Sequence, residues 1–481
     1  MKGFSHYIVI KVTQVAICPS EASTKAGRPA LTPELLAASG ARYSRNNEGL
    51  GSILSRIDPS NLEKSVDSIF RMVDYGHQSI ADMVPVAMFI DGISIWLAYH
   101  IWTLCPTAGG QESSTRYIKI SIDGLISPET LGISAADAPE WKALMDESFQ
   151  AYSASLKLWE ELASENPAFL GIPKSLLEDT SEPARKKVLR MKRNYAFDRA
   201  RYFLPVAAAT NVMLIMSARG WVNLCQNLLS HPLPEARSVG ELVRSELQIS
   251  APRMIKHAQF GVSNEQAILC EFEKTAHLAR TSPCPEDFCA GREGSAVPFL
   301  SVVPPPGTTE EEISADLAFH VNRYAPFGSS LQRTFVRFGW SSIGFAEIRD
   351  LNRHRTGTKH CPLAPRGFYF ALDQVPTAAP NSQPTKSKLL QLAEVGKRTT
   401  SIATRKLTAS DHTYIYWTLL GVEYPFEHVT TADKFIYEAE LRTGLGAHYR
   451  YAKHLREALA LFYERFPATK GLILEGSAEP E

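Results

Sequence analysis

Apolar positions recur along the chain with two periods, and these divide it into short strands and long helices. Near the start, YIVIKVTQV is interrupted by Lys11, Thr13 and Gln14 and alternates as a strand does. LTPELLAASGARYS opens a helical region over 31–54, with Thr32 as N-cap and Pro33 at the first helical position. Leu62, Val66, Ile69, Phe70 and Val73 fall at helical spacing within 61–75. VPVAMFIDGIS reads as a strand, 94–104 as a helix, and GGQESSTRYIKIS as a loop running into a strand. An amphipathic helix is predicted over 137–165, with Trp141, Leu144, Phe149, Tyr152 and Trp159 on one side. A strongly basic helix follows over 182–203. After Pro205, VAAATNVMLIMSARGWVNLCQNLLS reads as one largely apolar helix, which puts Arg219, Asn223 and Gln226 on a common face.

Breaker-rich text, TSPCPEDFCAGREGSAVP and VVPPPGTTEEE, marks 263–314 as a linker region. The chain is therefore expected to hold a first domain over 1–262 and a second over 315–481. The second part repeats the order of the first. A helix is predicted over 313–324, a strand at LQRTFVRFGW, and a helix at SSIGFAEIRDLNRHR that enters the polar loop TGTKHCPLAPRGFY. A long helix over 386–408 and a helical region from DKFIYEAELRTGLGAHYR onward complete it.

Composition narrows the class. The 481 residues are 44% hydrophobic and 21% charged, with lysine plus arginine equal to aspartate plus glutamate at 51 each. That balance argues against a nucleic-acid polymer as partner and leaves room for a local basic pocket. The longest apolar stretch, 83–104, is interrupted by Asp91, His100 and Thr103, so a buried strand and helix are expected and no membrane span. Seven scattered cysteines, with Cys284 and Cys289 the one close pair, read as reduced thiols of a cytoplasmic protein without a structural metal.

Two clusters hold most of the chemistry. In GGQESSTRY, two glycines free the backbone to approach a ligand, while Ser113, Ser114, Thr115 and Arg116 are donors suited to phosphate oxygens. Gln111 and Glu112 suit the edge of a base or sugar. The same loop reads as a surface turn whose Arg116 pairs with an acid. NRHRTGTKH gathers Arg353, His354, Arg355, Lys359 and His360, a set for an anion or equally a solvated basic loop. Arg442 has Glu438 one turn earlier, an i, i+4 ion pair. His77 in YGHQSIAD suits a helix cap. No G-x-G-x-x-G after a strand and no G-x-x-x-x-G-K-[ST] occurs, so a nucleotide here is held by side chains and loop amides.

Together these motifs resemble the flavin-dependent thymidylate synthases. GHQS, QESSTRY, ARYFLP and SARGWVN match that family's motifs in order over about 30–250, with Gln111 and Ser217 each replacing an asparagine. The family's R-H-R triplet is missing there, where WTLCPTAGG stands, and Leu228 or Asn227 occupies the place of a substrate-facing arginine. Over about 315–465 the losses are reversed. EIRDLNRHR keeps the triplet with Asp350 in place of glutamine, AELRTGLGAHYR supplies Arg442, and LAPRGFY is a remnant of the serine loop.

The resemblance implies an α+β fold in tandem, each copy a small antiparallel sheet with long helices. It implies reductive methylation of dUMP at C5, with FAD as cofactor and methylenetetrahydrofolate and NADPH as co-substrates. By position, Gln111, Glu112, Ser113, Ser114, Arg116, Arg201 and Arg353 fall to the nucleotide. His77, Ser79, Arg219, Asn223, Arg353, His354 and Arg355 fall to the flavin, and Arg442 to the uracil as the catalytic residue. Because the family's sites form between subunits, a homodimer acting as a pseudo-tetramer with composite sites is expected. A related flavin enzyme with another acceptor, and a non-catalytic flavin- or nucleotide-binding scaffold, remain open.

Overall fold

The computed structural model describes residues 8–477 apart from 46–48, 59, 75–77, 117, 119, 166–169, 283–295, 378, 380 and 445. In chain order, the first principal elements are β1 (Lys11–Val15), α1 (Pro33–Tyr43), α2 (Leu62–Asp74), β2 (Pro85–Ser94), α3 (Ile95–Leu104), β3 (Gly109–Glu112), α4 (Ala138–Glu165) and α5 (Glu182–Ala200). Next come β4 (Ala209–Ser217), α6 (Ala218–Leu229), α7 (Pro234–Ser250), α8 (Val262–Thr281) and β5 (Pro298–Val303). The rest are β6 (Phe335–Gly344), α9 (Phe345–Asn352), β7 (Thr358–His360), β8 (Gly367–Phe368), α10 (Ser382–Thr408), β9 (Val422–Thr431), α11 (Ala432–Arg442) and α12 (Tyr449–Arg465). The fold is α+β, with two small antiparallel sheets among long helices. No helix among the described residues is long and apolar enough to cross a membrane.

The chain forms two compact units that interleave along the sequence. The first comprises 1–113, 123–135 and 207–273, the second 114–122, 136–206 and 274–481. In the first, the strands run in the order β1-β2-β4-β3. The β2–β4 pairing runs from Pro85↔Ser217 to Ser94↔Ala209, with a bulge between Ile90 and Ile93. Gly92, at φ 74°, makes that bulge possible, and its amide donates to the Asn211 side chain at 2.9 Å. Ser94 then caps α3, accepting from the Leu97 amide, and donates at 2.8 Å to Glu235, which is fully buried. Trp221 of α6 packs beneath the sheet and donates to the Val86 carbonyl.

In the second unit the order is β5-β6-β9-β7, with β8 also on β9. The β6–β9 pairing runs from Phe335↔Thr431 to Gly344↔Glu423, with a bulge between Trp340 and Ile343. Both sheets thus pair a ten-residue central strand with its neighbour and break register after the sixth residue. Pro425 sits opposite the second bulge, as Asn211 sits opposite the first, where a missing amide hydrogen costs no ladder bond. Helices α4 and α10 pack side by side, and Trp141, Trp159, Trp340 and Trp417 are buried in this unit.

Several sequence expectations are corrected. The segment after Pro205 is β4 followed by α6. Its apolar run concealed a strand alternating between buried and open positions, and Ser217 caps the helix that follows. Residues 263–281, read as the start of a linker, belong to the helix α8, since the breakers begin only after it. The loop was expected to run into a strand, but the strand here is at its start, Gly109–Glu112, and takes in the first two residues of QESSTRY. The helix expected over 313–324 is the short turn Glu310–Ala315. The second-part strand begins at Phe335, behind a helical turn at Ser329–Arg333. Strand β9 was not anticipated, because Pro425 argues against a central strand unless a bulge faces it.

Candidate functional site

The densest polar cluster lies within the second unit. It is built from the segment at 114–116, the end of α5, and the α9, α11 and α12 regions. Ser114 is half-buried, and its hydroxyl accepts from the Arg116 amide at 3.2 Å. Arg116 grips Asp198 with both ends of its fork, Nε to Oδ1 at 2.7 Å and Nη2 to Oδ2 at 3.0 Å. Its Nη2 also donates to the Gly446 carbonyl at 3.1 Å. One turn beyond Asp198, Arg201 is 1% exposed and donates Nη2 to Asp350 Oδ2 at 2.9 Å. Its Nε is buried and has no hydrogen-bond partner. Arg353 approaches the other oxygen of Asp350 at 3.4 Å, and its Nε is likewise unbonded.

Asp350 is therefore shared by two guanidiniums. Burial alone pushes its carboxyl up, but Arg201 and Arg353 outweigh that and hold it far below the usual carboxylate range. Asp198 is lowered in the same way, with burial opposed by Arg116. His354 accepts from Arg442 Nε at 2.6 Å. Burial, reinforced by Arg442, drives its imidazole down to about 3, so it is neutral and the accepting Nε2 carries no proton. Arg442 lies over the Tyr451 ring at 5.4 Å and feels the charge of Asp350. Arg355 is exposed on the loop after α9.

A second network lies behind this one, and the sequence did not announce it. Arg450 binds Glu423 at 2.6 Å and lies 3.6 Å from Glu347. Its guanidinium stacks over the Tyr369 ring at 3.1 Å. Tyr202 donates to Glu347 at 2.6 Å, and His448 meets the Asp198 carbonyl at 3.1 Å. Asp198 was the legible member, three residues before Arg201 in DRAR and so on the same helical face. Glu347, Glu423 and Arg450 come from separate elements and carry no local signal.

The remaining predicted residues belong to the first unit. Gln111 and Glu112 end β3 opposite Met213 and Val212. The Ser113 amide donates to the Asn211 carbonyl at 3.0 Å. Ser79 is exposed at the start of a short turn, Ser79–Asp82, whose Asp82 takes Arg219 at 2.9 Å. Asn223 is exposed on α6. His77 lies outside the described residues. The i, i+4 pair expected for Arg442 and Glu438 does not form as such. Arg442 turns to His354, while Glu438 lies 3.2 Å from His428.

Comparisons with known proteins agree with the motif order. Residues 30–253 match the family model described as thymidylate synthase complementing protein. A UPF0159 protein of Thermoplasma acidophilum is 28% identical over 235 residues, covering 45% of this chain and 47% of that protein. A UPF0159 protein of Chlamydia pneumoniae is 24% identical over 240 residues, covering 46% and 43%. The chain spans about half the length of the curated relatives it matches. Among solved structures, a UMP/dUMP methylase from Streptomyces cacaoi bound to 5-Br dUMP is 15% identical, with a TM-score of 0.31 over 52% of this chain and 94% of that one. Over residues 30–253, a little under half of its length, the chain is similar to the thymidylate synthase complementing protein family.

Proposed function

We propose that the chain is a flavin-dependent nucleotide methyltransferase, whose specific reaction is the reductive methylation of dUMP at C5. The observation that carries this reading is the meeting of Arg116 and Arg201, from motifs of the first part, with Arg353, His354 and Arg442, from motifs of the second. Asp350 feels Arg201, Arg353 and Arg116 together, and Arg442 feels Asp350. Four guanidiniums face the two carboxylates Asp198 and Asp350, a surplus of positive charge suited to a nucleotide phosphate.

On this reading Ser114, Arg116 and Arg201 hold the phosphate, and the unbonded Nε of Arg201 is the donor ready for it. Arg442 is oriented by neutral His354 and stabilises negative charge developing on the uracil as C5 becomes nucleophilic. The unbonded Nε of Arg353 and the exposed Arg355 fit the phosphates of FAD. That cofactor supplies hydride chemistry when bound, with methylenetetrahydrofolate as carbon donor and NADPH as reductant. Asp350 favours a second reading, a related flavin enzyme with another acceptor, because its carboxylate already occupies two of the phosphate-directed arginines.

The halves 1–262 and 315–481, joined by 263–314, are proposed to be diverged copies of one domain, a reading supported by the shared register and bulge of the two sheets. A homodimer would then act as a pseudo-tetramer, which light scattering measures directly. The test of function is the visible spectrum of the purified protein during NADPH reduction with and without dUMP, followed by mass analysis of the nucleotide. Flavin whose oxidation yields dTMP supports the synthase. Flavin indifferent to dUMP supports the other acceptor, and absence of flavin defeats both.

A further inference from the structure

Arg199 is not part of the cluster above, although it lies between Asp198 and Arg201. It is 8% exposed. Its Nη1 donates to the Tyr195 carbonyl at 3.1 Å and its Nη2 to the Gln374 side chain at 3.2 Å. The guanidinium is clamped by aromatic faces, with Tyr195 at 3.5 Å, Tyr449 at 4.3 Å and Trp159 at 5.6 Å. Its Nε is buried and unbonded. Among the described residues no carboxylate pairs with it. A buried cation without a counter-ion is costly, and aromatic faces offset only part of that cost.

Beside Arg199 is a cavity of about 240 Å³. Half-buried Lys187 and exposed Arg190, both on α5, add further positive charge to its wall. Leu170, Leu176 and Met191 give it an apolar side. Asp198 also borders it, but both of its carboxylate oxygens are taken by Arg116. The wall therefore offers positive charge and an apolar side, and it includes Arg199, whose Nε has no partner.

We propose that this cavity binds a small organic anion, a carboxylate or phosphate carried on an aromatic or alicyclic body. The anion supplies the missing counter-charge to Arg199 and accepts from its Nε, while the ring lies against Leu170, Leu176 and Met191. The inference does not rest on the nucleotide reading and stands even where dUMP is not turned over.

Three probes test it by calorimetry on the full chain: benzoate, phenyl phosphate and the uncharged benzyl alcohol. One of the two anions is expected to bind saturably, once per chain, and the better one identifies the head group. Benzyl alcohol is expected not to bind. Arg199→Met keeps the stem and removes the charge, and should weaken the preferred anion by tenfold or more. It should also melt no lower than the parent, since an uncompensated charge is lost, whereas a purely structural arginine would lower the melting temperature. Lys187→Ala, at a half-buried rim position, should weaken binding by about threefold and provides the reading should Arg199→Met fail to fold. The proposal is overturned if neither anion saturates the parent protein, if benzyl alcohol binds as tightly as the anions, or if the folded variants bind like the parent.

Discussion

Asp350 is shared by Arg201 and Arg353, so on the proposed reading it competes with an anion for both. With Arg201 at 1% exposure and Asp350 at 5%, this is a buried pair, and breaking it strands a cation. Asp350→Asn should cost about 3–5 kcal/mol of stability in urea unfolding. Added phosphate should stabilise the variant more than the parent, because only the variant leaves both guanidiniums without their shared carboxylate. Asp350→Gln should tighten dUMP binding by at least tenfold if the carboxylate excludes a phosphate, and an unchanged affinity would return Asp350 to a purely structural role. His354 carries a second prediction. Its folded value is depressed to about 3 by burial and Arg442, with His428 and Lys359 acting the same way and Glu438 against them. The unfolded chain takes up a proton near pH 6.5 that the folded chain refuses. The resulting stability is present above about pH 6.5 and is lost as pH falls toward 3, at roughly 1.4 kcal/mol per pH unit. His448, also buried and held well below its ordinary value, adds to the same slope. His354→Gln should flatten the fall in urea midpoint between pH 6.5 and 5, and an unchanged slope would mean that His354 is charged in the folded state.

At the scale of elements, close approach sets tolerance. Gly396 lies in the middle of α10, where alanine ordinarily favours a helix by about 1 kcal/mol. Here an added Cβ would meet the Phe368 ring at 2.1 Å, and Phe368 is buried on β8. Steric cost outweighs propensity, so Gly396→Ala should destabilise by about 1–3 kcal/mol, and a rise in melting temperature would refute this packing. The elements also show what a sequence discloses. Helices α4 and α10 were legible because their apolar periodicity runs for many turns. β4 and β9 were not, since one is largely apolar in text and the other contains Pro425, which is tolerated only because a bulge faces it. At the site, Arg116, Arg201 and Arg353 were legible from motif order. Asp350 was legible only as a replacement for glutamine and Asp198 only as a neighbour of Arg201 on one helical face; their ion pairs appear only when distant segments meet.

At the scale of the whole molecule, the two sheets permit a position-by-position comparison of the halves. Arg353 follows Gly344 at the interval at which Thr103 follows Ser94, so Thr103, Leu104 and Cys105 stand where the second half has Arg353, His354 and Arg355. Arg442 follows Thr431 as Leu228 follows Ser217, so on the proposed tandem reading Leu228, and not Asn227, stands at the place of Arg442. His100 stands where Asp350 does, and it is stacked on Trp96 and bonded to Asn227 at 3.1 Å. Burial lowers the proton affinity of His100, so this place in the first unit is neutral as well as short of cations. Anion binding depends on the surplus of guanidiniums, and among these matched positions only the second unit has one. Calorimetric titration with dUMP should therefore give one nucleotide per chain. Arg353→Met should abolish that binding, while Thr103→Val should leave it within twofold of the parent. Two equivalent nucleotides per chain would show that the first unit binds by other residues and would end the idea that the halves divide a single site between them.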